Sequence, residues 1–516
     1  MKRLVISLSA LLLCLSLEGR KTICYVPLDN RPVSYERVIY LCNSMGFDML
    51  IPDKDMVATR LDHMGPLPDG RSCGDRKRIF EWLKSCEGEC DWYVISLDQM
   101  LSGGLVSSRW MDNTDLEFEF EVCDYLKALS LKHKVILYDT VMRLASTAGY
   151  GGYGLKEYDQ FRAYGKEERL ELHGVNLTRG NIIKTYTVAP DGCEIDTKGL
   201  SKDQLDKYFA CRERKLRLSE RILEGESDFD WFYMGVDDCT PGNSIHTNEI
   251  RYLSGLMHGN GCLGAATDEL GLTSLARIAV KEYGGVKVNL KFIGGKEKEY
   301  ADSYNYLSLE EDAMFKTDFI GIEKVNDTDH LNILVLTRSD KYDKARAEML
   351  QTVSNLLKEG KSVCVIDANS NMPGNDQRTQ LGRELVCSDI PLMQLMGYSS
   401  WNTASNSLGI GMANSISRYA YLKRHRPSEK SNRAFLKGLA FSYLKDVSYK
   451  SCGFGESSLV SNEPCSFNYV LNKLNSSRFV TSIHPFRTKA HGTISVSDFS
   501  RPFDRTFEIL FEVNIE

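Results

Sequence analysis

Short apolar runs that stop on an aspartate recur through the first half of this chain. Ile23–Leu28 ends at Asp29, Trp92–Leu97 at Asp98 and Val135–Tyr138 at Asp139. Trp231–Val236 ends at Asp237 and Asp238, and Leu263–Thr267 at Asp268 and Glu269. The intervals are long enough for a helix and its loops, so the pattern predicts strand–helix alternation around a mostly parallel sheet. In such proteins the loops after the strands share one face, the face that carries active sites. Carboxylates gathered there repel one another unless they bind something or move protons.

At 516 residues the chain is too long for one ordinary core, so two or three domains are expected. Its 42% hydrophobic and 26% charged residues describe a globular protein, not a disordered one. A formal net charge of -6 supplies no basic field, which argues against nucleic acid as a partner. The cysteines are scattered, form no C-x-x-C pair, and in part lie inside apolar runs (Cys24, Cys262, Cys364). They are expected as small buried hydrophobes, not as a disulfide framework or a zinc site.

Lys2 and Arg3 precede the apolar stretch Leu4–Leu17, the order of an export signal with cleavage near Gly19. Leu11–Cys14 resembles a lipoprotein box, but Leu13 stands where a small residue is wanted. The expectation is an exported protein, periplasmic or extracellular, with residues 1–19 as signal. A lipoprotein or an uncleaved anchor ranks behind it. No later segment is apolar enough for a membrane helix.

Further strands are expected at Met49–Pro52 and Val286–Ile293, and helices at Leu116–Leu131, Tyr208–Leu223 and Leu272–Tyr283. Together they make an N-terminal β/α domain over 22–300, either barrel-like or an open parallel sheet. Residues 295–330 are polar and read as a linker or excursion. A second, smaller α/β domain over 328–425 holds strands Asn332–Leu336 and Val363–Ile366 and helices Tyr342–Glu359 and Ser415–Lys423. A C-terminal cap over 426–516 has a helix at Ala434–Leu444, a loop over 451–470 and a last strand at Phe507–Val513.

Three strand ends pair an acid with a guanidinium: Asp29 with Arg31, Asp98 with Arg109, and Asp139 with Arg143. Arginine reads planar anions bidentately, so the three suit an anionic small molecule; equally, each can simply neutralise its neighbouring aspartate. Asp237 and Asp238, adjacent on one strand end, should point to opposite sides. Asp268 and Glu269 open a helix, where one is expected as an N-cap and both are candidates for general acid and base. The run Gly149–Gly154 matches G-x-G-x-x-G, but it stands too far from its strand for a dinucleotide turn; a mobile Tyr/Gly loop is expected. Trp401, Asn402 and Asn406 offer an aromatic plate and amides for a hydroxyl-rich ligand, or a buried amide network between the domains. No H-E-x-x-H, G-x-S-x-G or Walker A sequence occurs, and no cofactor is expected.

Several of these segments carry a resemblance. Pro27–Pro32, Ser102–Arg109, Asp237-Asp238 with Pro241 and Gly242, Trp401-Asn402-Thr403 with Asn406 and Gly409, and Phe503–Glu508 resemble, in order, the bacterial domain of unknown function 4127 family. The resemblance covers most of the chain. It implies a carbohydrate-active, glycosidase-like protein and carries over no catalytic assignment. The loop Asp367–Asp376 departs from the compact Asn-Gly-x-Asp turn of the family, which puts the role of Asp376 in doubt.

The expected function is therefore glycoside hydrolysis. Asp29, Asp98, Asp237 and Glu269 are the catalytic candidates, and Arg31, Arg109, Asp139, Arg143, Asp238, Asp268, Trp401, Asn402 and Asn406 hold the glycan or other small substrate. The arginines lean the substrate towards a sialic or uronic acid. Two alternatives remain: a metal-dependent hydrolase or deacetylase using the same acids, and a two-lobed solute-binding protein with no chemistry.

Overall fold

The computed structural model describes residues 20–60, 66–109, 114–145, 156–257, 259–265, 267–301, 304–369, 380–450, 464–476, 479–480, 488–489, 493–502 and 508–516. The apolar runs before the aspartates all form strands: β1 (Thr22–Val26), β2 (Asp48–Leu50), β3 (Trp92–Ser96), β4 (Val135–Val141), β5 (Trp231–Val236) and β6 (Gly261–Ala265). They pair in parallel in the order β2-β1-β3-β4-β5-β6. β3 and β4 are buried along their whole length, as strands covered on both faces must be. β2 and β6 are the edges, so this is an open sheet and not a barrel. The chain reverses direction across the sheet between β1 and β3, where open α/β sheets leave a crevice at the carboxyl ends of the strands.

A second parallel sheet contains β7 (Lys287–Ile293), β8 (Glu323–Lys324), β9 (Leu331–Leu336), β10 (Val363–Asp367) and β11 (Gly397–Ser399), in the order β11-β10-β9-β7-β8. Position along the chain assigns β7 to the N-terminal domain, yet it pairs with β9 and β8. Its alternation of Lys287, Asn289 and Lys291 with Val288, Leu290 and Phe292 suits a strand near an edge. Among the described strands only the short β8 lies beyond it. The polar stretch 295–330 is also not simply a linker. A capping box of Ser308 and Glu311 starts a helix over Leu309–Ile320, which buries Leu309, Ala313, Phe319 and Ile320.

Six helices frame the strand ends: α1 (Glu36–Ser44), α2 (Lys202–Leu223), α3 (Leu270–Tyr283), α4 (Leu309–Ile320), α5 (Ala404–Arg424) and α6 (Glu429–Ser442). α5 begins at Ala404, well before the expected Ser415, because Thr403 caps it with Asn406 at the third helical position. α3 and α5 pack together between the sheets. One apolar core runs from Ile23 and Tyr25 through Leu275 and Ala279 to Ile410 and Ile333. α6 continues as a π-helical stretch over Tyr443–Tyr449. A helix over Phe467–Ser476 replaces the end of the expected loop, and the last strand is Leu510–Ile515, paired antiparallel with Ile494–Ser500. Among the described residues every cysteine is a free thiol, with Cys24 and Cys364 buried and Cys262 partly buried. No described helix is long and apolar enough to cross a membrane.

Candidate functional site

The carboxyl ends of β1, β6 and β11 meet. Asp29, at 1% exposure, accepts hydrogen bonds from the Arg31 backbone N–H at 3.0 Å and from Arg31 Nε at 2.9 Å. Arg31 Nη2 reaches 2.7 Å to Asp29 Oδ2 and 2.5 Å to Asp268 Oδ1. Asn402 Nδ2 donates to the other oxygen of Asp268 at 3.3 Å and to Asn406 Oδ1 at 2.9 Å. Asn402 holds φ at +57°, a left-handed conformation that Asn tolerates better than most residues. Four side chains from two sheets thus form one chain: Asp29, Arg31, Asp268, Asn402.

Burial pushes the Asp268 carboxyl up to about 6, with Arg31 pulling the other way and Asp29, Asp237 and Glu269 adding to the rise. Asp237 lies beside this group. Its Oδ1 accepts from Thr267 Oγ1 at 3.4 Å and its Oδ2 from Arg109. Asp237 and Asp238 both lie past the end of β5, so strand alternation does not set their directions; the Asp238 side chain is 32% exposed and stands 3.8 Å from Arg143, which also donates to the Ala145 carbonyl at 2.7 Å. Burial of the surroundings and the neighbouring Asp237 raise the Asp238 carboxyl, against Arg143. Its φ of +21° marks a strained turn at this strand end.

The arginines therefore do neutralise aspartates: Arg31 pairs with Asp29 of its own loop and also reaches Asp268, whereas the other two act across strands. Arg109 answers Asp237 instead of Asp98, and Arg143 answers Asp238 instead of Asp139. Asp98 and Asp139 are instead bound by Lys215 of α2. Thr140 Oγ1 donates to Asp98 at 2.8 Å and Ser219 Oγ to Asp139 at 3.4 Å, so this pair is closed off within the helix layer. Burial raises the Asp98 carboxyl despite Lys215.

Glu269 is also enclosed. It accepts from Asn406 Nδ2 at 2.5 Å, Ser405 Oγ at 3.2 Å and the Thr267 N–H at 3.3 Å, and Lys316 Nζ of α4 lies 3.4 Å away. A Cβ on Gly409 would sit 2.3 Å from Glu269 Cγ, so glycine there allows α5 to approach. Glu269 and Asn406 thus tie α3 to α5, as members of a buried amide network. Trp401 is 5% exposed, with the Lys445 ammonium 4.9 Å above its ring, so it is a wall of the core and not an open plate. The Tyr/Gly run at 149–154 and the loop residues 370–376 lie outside the described residues.

Residue types alone left out Lys215, Lys316 and Asn402's partner role for Asp268. Lys215 was legible: Tyr208, Arg212, Lys215, Ser219 and Ile222 fall on one helical stripe, and all are buried. Lys316 follows the capping box by the spacing that also buries Asp312, to which it donates at 2.5 Å. Among the described residues no three His, Cys, Asp or Glu side chains form a metal-binding group.

Neither the curated proteins nor the solved structures contain a match to this chain. The family model described as "Protein of unknown function (DUF4127)" matches residues 23–512, nearly the whole chain, and the protein belongs to that family.

Proposed function

We propose that the protein is an exported glycoside hydrolase whose proton-transferring group is Asp268, with Asp29 as the second carboxylate. The observation that carries this reading is the buried Asp268 carboxyl at about 6, beside Asp29 on a shared guanidinium nitrogen. Two carboxyl groups with different environments are what acid/base division of labour requires. The shared Arg31 nitrogen keeps their nearest oxygens no more than about 5 Å apart, closer than the roughly 6.5–9.5 Å of an inverting pair, which supports a retaining reaction in this reading. Asp98 and Glu269 are satisfied by buried partners and have structural roles in this reading.

The substrate in this proposal is a neutral sugar. Arg31, Arg109 and Arg143, which favoured an acidic one, are occupied by Asp29 and Asp268, by Asp237, and by Asp238 with a backbone carbonyl. The test is a screen of the purified protein against neutral and acidic aryl glycosides, with and without chelator. Release from a neutral glycoside that survives chelator and disappears in Asp268→Asn supports the proposal. Release abolished by chelator would move the acids to metal ligation. Tight sugar binding with no turnover, unchanged in Asp268→Asn, would instead point to a binding protein.

A further inference from the structure

Two helices far apart in sequence share one core behind the second sheet. The helix Gln380–Cys387 buries Leu381, Leu385 and Val386, and the helix Phe467–Ser476 buries Phe467, Val470 and Leu474. Just past the end of the first helix, the Ser388 carbonyl accepts from Lys473 Nζ of the second at 2.5 Å. Asn475 donates to the Ile494 carbonyl at 3.1 Å and accepts the Ile494 N–H at 2.7 Å. The second helix is thereby also tied to the antiparallel strands Ile494–Ser500 and Leu510–Ile515. These contacts fix the backbone on both sides of one junction.

Two thiols meet there. Cys387 is the last residue of the first helix, and Cys465 stands just before the second. Their sulfurs are 3.7 Å apart, across 78 positions of sequence. Cys465 Sγ also lies 3.8 Å from the Arg383 carbonyl, one turn back along the first helix, to which its S–H can donate. Cys465 is 1% exposed, whereas Cys387 is exposed. A buried thiol by itself serves as a small hydrophobe. A buried thiol touching an exposed one differs, because the exposed partner gives an oxidant access to the pair.

The oxidant needs to reach Cys387 alone. The Cys387 thiolate attacks oxidised glutathione, forms a mixed disulfide and displaces one glutathione thiolate. The Cys465 thiolate then attacks Cys387 Sγ, the protein S–S bond forms, and the second glutathione leaves. Each displaced glutathione takes up the proton of one protein thiol. Two protein thiols are oxidised and one glutathione disulfide is reduced. The sulfurs must close to about 2.05 Å, less than about 2 Å of movement. Burial, with Cys387 next, pushes the Cys465 thiol up to about 12, so the second step is slow near neutrality and quickens as pH rises.

We propose that Cys387 and Cys465 are a disulfide-forming pair that staples the helix Phe467–Ser476 to the helix Gln380–Cys387 under oxidising conditions. The pair stands independently of the glycosidase reading, and the export reading supplies only a compartment where such an oxidant is found. A cross-link over 78 positions takes more freedom from the unfolded chain than a short one.

The test incubates the purified protein with oxidised glutathione at pH about 7 and about 8.5, on either side of an ordinary thiol's buffering range. Free thiols are then alkylated, and the protein is digested without reductant and mapped by mass spectrometry. The Cys387 and Cys465 peptides should appear linked, sooner at the higher pH. The linked protein should melt about 2–6 °C above the reduced one. Cys387→Ser should melt alike with and without oxidant, and Cys465→Ser should stop at the mixed disulfide with glutathione. Mapping of the wild type needs no substitution, so it decides the matter even if a variant fails to fold. Cys465 still alkylated while Cys387 carries glutathione, or either residue linked to a different cysteine, would overturn the pair. Equal melting of the linked and reduced forms would overturn the staple.

Discussion

Two pairs of strand ends look alike in sequence and differ in the folded protein. At the ends of β3 and β4, Asp98 and Asp139 are held by Lys215, a side chain from the helix layer of their own sheet. At the ends of β1 and β6, Asp29 and Asp268 share Arg31, and the other side of Asp268 is met by Asn402 from the second sheet. The first pair is a strut; its charges are cancelled by a group that serves no other visible purpose. The second is a seam between two sheets, and there a carboxyl retains a pKa of about 6. An aspartate at a strand end thus states where it lies, and the element that reaches it decides what it does.

The largest expected effect breaks the strut. Lys215→Met leaves two buried carboxylates without a cation and should cost about 3–5 kcal/mol of stability, read as the urea midpoint. An unchanged midpoint would mean that the Lys215 pairing is dispensable. At the seam the same measurement should move the other way. A carboxyl raised in the folded state binds its proton more tightly there than when unfolded, so its contribution to stability falls as pH rises from about 4 to about 6. Asp268→Asn should therefore gain on the wild type across that window, by up to about 3 kcal/mol at pH 7, and show no further pH dependence above it. A variant that is destabilised equally at pH 4 and pH 7 would show that the fold does not raise the Asp268 carboxyl.

Smaller effects sharpen the contrast. Gly409→Ala forces a methyl group against Glu269 and should cost about 1–3 kcal/mol, measured by thermal unfolding. Asn402→Ala should cost about 1 kcal/mol for its left-handed backbone, and Asn402→Gly less. Both should lower kcat/KM for a glycoside together, because both remove the amide from Asp268. Activity equal to wild type, with stability still reduced, would leave Asn402 as a turn residue only.

Much of this was legible in the chain. The strands before Asp29, Asp98, Asp139, Asp237 and Asp268 followed from apolar runs, whereas Asp237 and Asp238 lie past the end of β5 in a turn that strand alternation does not describe. The cations were harder to place. Arg109 and Arg143 stand close in sequence to Asp98 and Asp139, yet the sheet sets both against the acidic pair that follows β5, two strands from Arg109 and one from Arg143. Lys215 and Lys316 sit on buried helical stripes that were readable, but charged residues on such stripes look like a solvated face until the facing carboxylate is known. The sheet to which β7 belongs, and the burial of Trp401 under Lys445, depend on packing between distant segments and leave no local mark.

The central claim is that Asp268 moves the proton and Asp98 does not. Hydrolysis of a neutral aryl glycoside should be compared in wild type, Asp268→Asn and Asp98→Asn, with chelator present and each variant's fold verified. The account predicts turnover in the wild type, a loss of about 10²–10⁴-fold in Asp268→Asn, and far less change per folded molecule in Asp98→Asn. Full activity in Asp268→Asn, or loss confined to Asp98→Asn, would contradict it.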